Sequence, residues 1–113
     1  MQGRYEQQMK KGVLEMLVLK QLEKEEQYGY QLINRLKNES GGTFSLKEGT
    51  LYPILYRLED DKLVSSRWSQ PKGKEVSRKY YRITDEGKNK LQELKILWKE
   101  FSGQVSKMME DTE

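Results

Sequence analysis

Residues 45–63 read SLKEGTLYPILYRLEDDKL, and the fold turns on this run. At 100° per residue Leu51, Ile54, Leu55 and Leu58 fall on one side, the mark of a helix with one face in a core. The other side carries Gly49, Pro53 and Tyr56, flanked by Thr50, Tyr52 and Arg57. Ser45 and Glu48 have the S-x-x-E spacing of a capping box, which predicts a helix start at Ser45. Pro53 removes one helical hydrogen bond and presses on the carbonyl of Gly49, so a mild kink or a start nearer Thr50 are both open. Asp60 and Asp61 lie at the far end, where they would repel phosphate. The N-terminal half of the outer face is therefore the expected reader of a DNA groove, against the plainer reading of a surface helix with half-buried aromatics.

The residues that follow strengthen the first reading. Residues 63–68 and 79–84 are short runs rich in β-branched and aromatic residues, separated by the turn-like QPKGKE of 70–75. They predict a hairpin. Val64, Ser66 and Trp68 share one face of its first strand, and Tyr81 and Ile83 one face of its second. Residues 62–82 hold Lys62, Arg67, Lys72, Lys74, Arg78, Lys79 and Arg82 against the single acid Glu75, almost the whole basic excess of a chain whose net charge is +3. Such a one-signed patch beside a candidate reading helix suits phosphate contact better than a merely solvated loop.

Thr84 or Asp85 then caps a last helix expected to reach about Met109. Leu91, Leu94, Trp98, Phe101, Val105 and Met108 recur at three- and four-residue steps, a seam of nearly three heptads. The seam would pair with its copy in a second subunit, pack on the chain's own first helix, or do both. Upstream, residues 1–8 are polar and expected to fray or to pack only against a partner. Met9–Leu22 is apolar around most of its circumference and reads as one helix, buried in the core and against a partner or in the core alone. Tyr28–Glu39 forms a second helix closed by Ser40-Gly41-Gly42, and Thr43-Phe44 suits a very short strand. The acidic tail Glu110–Glu113 is expected to be disordered.

Composition narrows the classes. With 113 residues, 35% hydrophobic and 35% charged, the core is modest and oligomerisation is a natural way to bury more. There is no cysteine and no histidine, which removes disulfides, thiolate and imidazole metal sites and the usual nucleophile–base pairs. No run approaches the ~18 apolar residues of a membrane span. The chain is expected to be cytoplasmic and soluble, with no metal or cofactor, and not an enzyme.

Three helices, a hairpin and a long helix give a mainly α fold with a small β-hairpin: a winged helix-turn-helix over 1–84 and a dimerisation helix with its tail over 85–113. Major-groove entry of the third helix would bring Thr50, Tyr52, Pro53, Tyr56 and Arg57 to bases or phosphates, with Lys47 at the backbone. Lys72, Lys74 and Arg78 would meet phosphates from the wing. Two-fold pairing would demand a roughly palindromic duplex. The competing class is a winged helix that binds another protein through its seam.

The stretches GVLEMLVLKQL (12–22), YGYQLINRL (28–36), EGTLYPILYRLEDDKLV (48–64) and SRKYYRITDEGK (77–88) resemble the PadR family of bacterial transcriptional regulators, in its short form with a single C-terminal helix. The resemblance spans about residues 9–101 and rests chiefly on GTLYP with RLE at its fixed offset. It implies a dimeric winged-helix repressor, with Thr50, Tyr52 and Pro53 in the recognition-helix motif and Lys79-Tyr80-Tyr81 in the strand after the wing. Some members of the family sense drugs or other aromatic compounds between paired tryptophans. Trp98 stands at the matching distance from Gly87, so it stacks on a ligand or simply packs a dimer.

Overall fold

The computed structural model describes residues 3–111; Met1, Gln2, Thr112 and Glu113, which belong to the two ends discussed above, lie outside the described residues. Five helices and three strands follow in order: α1 (Arg4–Lys11), α2 (Leu14–Lys24), β1 (Gln27–Tyr28), α3 (Gly29–Glu39), α4 (Glu48–Asp60), β2 (Val64–Trp68), β3 (Lys79–Ile83) and α5 (Asp85–Met109). This is the winged helix-turn-helix with a long terminal helix, α3 and α4 forming the helix-turn-helix and β2–β3 the wing.

The apolar face of α4 is buried as its spacing requires: Leu51, Ile54, Leu55 and Leu58 meet Leu14, Val18, Leu19 and Leu22 of α2 and Leu32 and Leu36 of α3 in one core. Burial of a leucine side chain contributes about 1.5–3 kcal/mol. Cohesion therefore comes mainly from these aliphatic contacts. Val64 and Tyr81 close the core from the wing, and Leu91 closes it from α5.

Four local expectations are corrected. First, α4 starts at Glu48, not Ser45; its N-cap Lys47 gives no side-chain cap, and the Ser45 hydroxyl donates to the Gly42 carbonyl instead. Ser45 lies too far upstream, and the turn after α3 takes its hydroxyl. The helix continues through Pro53. Second, Met9–Leu22 is not one helix. The chain breaks at Gly12–Val13, and residues 4–8, which fraying would have left irregular, are helical. Third, the short strand is not at Thr43-Phe44, which forms a turn, but at Gln27–Tyr28. It pairs antiparallel with β3, giving the sheet order β1-β3-β2. Fourth, the side-chain contact of this kind that does form is at the start of α3, where the Gln31 side-chain oxygen accepts from the Tyr28 amide.

The wing is a regular antiparallel hairpin with Val64 opposite Ile83 and Trp68 opposite Lys79. Thr84 caps α5 by accepting from the Gly87 amide, and its own hydroxyl donates to the Lys62 carbonyl. Gly87 is buried where a Cβ would collide with the Leu63 carbonyl oxygen, so only glycine lets α5 start this close to the end of α4. The molecule is elongated, with extents of 68 × 34 × 21 Å, because the far half of α5 runs beyond the core. Among the described residues no helix is long and apolar enough to cross a membrane.

Candidate nucleic-acid interface

The first half of α4 presents Lys47, Thr50 and Pro53 to solvent, with Tyr56 half exposed one turn later. Tyr52 is different: its ring packs partly on the core, and its hydroxyl end lies against Gly29 at the start of α3. A side chain at position 29 would collide with that phenol. Glycine therefore admits Tyr52 at the α3–α4 junction. Tyr52 and Tyr56 stand 6.1 Å apart, their rings tilted by 34°. Burial, then the charge of Glu48, then Tyr56 raise the Tyr52 pKa above its ordinary value, so its hydroxyl remains a neutral donor.

These tyrosines line a cleft of about 550 Å³ between the N-terminus of α3, α4 and the wing. Glu48, Trp68, Arg78 and Lys79 also line it. The structure thus brings Tyr52, Tyr56 and Arg78 to one site. Arg78 lies with its guanidinium 4.6 Å from the Tyr28 ring centroid, a distance suited to cation–π attraction. Lys72 and Lys74 are exposed in the loop joining the wing strands. Arg57 does not join the cleft lining; it turns to α2 and pairs with Glu15 at 3.2 Å. Arg67 is likewise engaged, bonding Glu26 and lying over the Tyr80 ring. That bond is the largest cause holding the Glu26 carboxyl below its ordinary pKa.

Glu48, Trp68, Tyr28 and Tyr30 were not singled out as site residues by sequence reasoning, and Lys79 was counted in the basic patch without being given a contact of its own. One signal was available for Lys79. It stands two residues before Tyr81 and four before Ile83, so strand alternation alone puts it on the inner face.

The terminal-helix seam divides in two. Leu91 is fully buried in the chain's own core, and Leu94 packs partly against it. Leu91 therefore has no surface left for a second subunit, and its expected interface role is corrected. Beyond it Trp98 is 46% exposed and Phe101 61%, with Val105 and Met108 also exposed. Met9 of α1 and Leu97 extend this apolar surface. A cavity of about 310 Å³ is lined by Met9, Gly12, Val13, Met16, Leu94, Leu97, Trp98 and Phe101.

Comparison with known proteins places this geometry. The Transcriptional regulator PadR-like family matches residues 18–93. An uncharacterized protein of Lysinibacillus sphaericus is 33% identical over 105 residues, 91% of this chain and 94% of that protein. The crystal structure of a PadR family transcriptional regulator from Eggerthella lenta superposes with a TM-score of 0.82 at 38% identity, covering 93% of this chain and 88% of that one. The structure of Bacillus subtilis PadR in complex with operator DNA gives 0.67 at 33% identity, covering 74% of this chain and 47% of that chain. With the family matched across most of its length and the winged helix-turn-helix in place, the chain belongs to the PadR-like family of transcriptional regulators.

Proposed function

We propose that the chain is a homodimeric, sequence-specific DNA-binding protein that represses transcription in the cytoplasm by occupying a palindromic duplex operator. The observation carrying this reading is the single cleft in which α4, the start of α3 and the wing meet, with Tyr52, Tyr56, Arg78 and Lys79 on its walls. The likeness to a PadR solved on operator DNA supports it. The first half of α4 enters the major groove, where Thr50, Tyr52 and Tyr56 donate to base edges or phosphates and Pro53 makes apolar contact. Lys47 takes the backbone beside the groove, and Lys72, Lys74 and Arg78 take phosphates from the wing. Arg57 reaches phosphate or guanine only by leaving Glu15.

Pairing is assigned to Trp98, Phe101, Val105 and Met108 of α5, beside Leu94 and together with Met9 of α1. An apolar stripe of this length is otherwise left in water. The adjoining cavity supports a flat aromatic effector stacked on Trp98 that relieves operator binding by preferring one arrangement of the two subunits.

Anisotropy titration of the full chain on duplexes from upstream of its own gene tests the reading. The expected result is a duplex bound about a thousandfold more tightly than scrambled sequence, with affinity falling steeply as salt rises. Equal, weak binding to all duplexes would overturn it. A monomer that associates only with a different protein would favour a protein-interaction module. Aromatic compounds should quench tryptophan emission, and Trp98→Ala should abolish that quenching; quenching that persists unchanged places the ligand elsewhere.

A further inference from the structure

Glu59 sits in the last turn of α4 and faces both strands of the wing. It accepts a hydrogen bond from the Ser66 hydroxyl of β2 through Oε2. Its Oε1 lies 3.9 Å from the Lys79 ammonium of β3. Lys79 Nζ is also 5.7 Å from the Tyr56 ring centroid and 5.4 Å from that of Tyr81. The Lys79 side chain is 30% exposed and that of Glu59 34%. At 3.9 Å the pair is ionic but too long for a hydrogen bond, so the ammonium keeps donors free on the cleft side.

We propose that Lys79 is a DNA-phosphate contact at the root of the wing and that Glu59 is its positioning residue. The inference rests on the DNA-binding reading above. Two aromatic rings and one carboxylate hold the cation across the face of Tyr56, where a backbone phosphate at the rim of the cleft takes its free donors. The same carboxylate ties α4 to β2, so the offset between the wing and the reading helix is constant. A constant offset lets sequence-blind phosphate contacts set the register in which bases are read. Glu59 also opposes phosphates arriving out of register, since its charge repels them.

The test uses the full-length chain on its operator and on scrambled duplex across a salt series. Lys79→Gln should lower the slope of log affinity against log salt by about one. Glu59→Gln retains an acceptor for Ser66 and removes the charge. It should raise affinity for scrambled duplex by about twofold to threefold and cut the specific-to-scrambled ratio about tenfold. In a Lys79→Gln background, Glu59→Gln should lower that ratio no further, because it acts through Lys79. A purely structural role for Glu59 would weaken both duplexes together and persist in the double variant, which overturns the proposal. So would an unchanged salt slope in Lys79→Gln. A wild-type chain that binds no duplex overturns the DNA-binding reading and this inference with it; a wild type that binds while both variants match it overturns this inference alone.

Discussion

Tyr81 carries a phenol into the core at zero exposure, and its hydroxyl has no protein hydrogen-bond partner among the described residues. Burial is the first cause pushing its pKa up to about 12, with Tyr56, Glu59 and Tyr52 adding to it. The folded state therefore favours the protonated phenol. Stability from this group is complete below its unfolded pKa near 10 and drains away as pH rises towards 12. Circular dichroism melts should show a Tm that falls across that window, and less so in Tyr81→Phe. At neutral pH Tyr81→Phe should be neutral or mildly stabilising, since it removes an unanswered polar atom. The two tight glycines behave differently. Gly87→Ala forces its Cβ onto the Leu63 backbone and should cost about 1–3 kcal/mol, read by urea unfolding. Gly29→Ala meets only the far end of the Tyr52 side chain, so it should displace that ring and erode operator discrimination more than stability. At this scale the sequence was only partly legible. Spacing put Leu51, Ile54, Leu55 and Leu58 inside, but it could not show that Arg57 pairs with Glu15 or that Leu91 belongs to the core, because both depend on a neighbour distant in the chain.

Among elements, α4, the wing strands and α5 were readable because each has a long enough period or a clear turn beside it. β1 was not, since two residues carry no alternation and Gln27 and Tyr28 are extended only because β3 offers them partners. The break at Gly12–Val13 was hidden by continuous apolar composition across it. Of the cleft lining, Tyr52, Tyr56 and Arg78 could be named from the sequence and Lys79 could be placed by strand alternation, whereas Tyr28 and Trp68 join it only through contacts between distant elements. A prediction belongs to α5 here. Phe101→Lys puts a charge into the exposed apolar stripe without touching Leu91 or the core. It should leave helix content intact in circular dichroism while shifting the sedimentation coefficient to that of a monomer.

For the whole molecule, pairing and folding are expected to be coupled. The Tm of the wild-type chain should rise with protein concentration, and that of Phe101→Lys should not. The wing acts at the same scale. Lys72→Ala with Lys74→Ala should weaken binding to every duplex alike and reduce the salt slope by about two. The elongated outline has a mechanical consequence. α5 has 25 residues, hence a length of about 37 Å. Its first turns are clamped to the reading domain by Gly87 and Leu91, while its free stripe lies towards the other end. The helix is thus a stiff lever with its load at one end and its fulcrum at the other. If that stripe pairs as proposed, a tilt of about 5° there would carry the reading domain through about 3 Å, close to the rise of one base pair. Under the proposed pairing, a ligand that prised the two helices apart by less than the width of a methyl group would put two reading heads out of step with a duplex of fixed pitch.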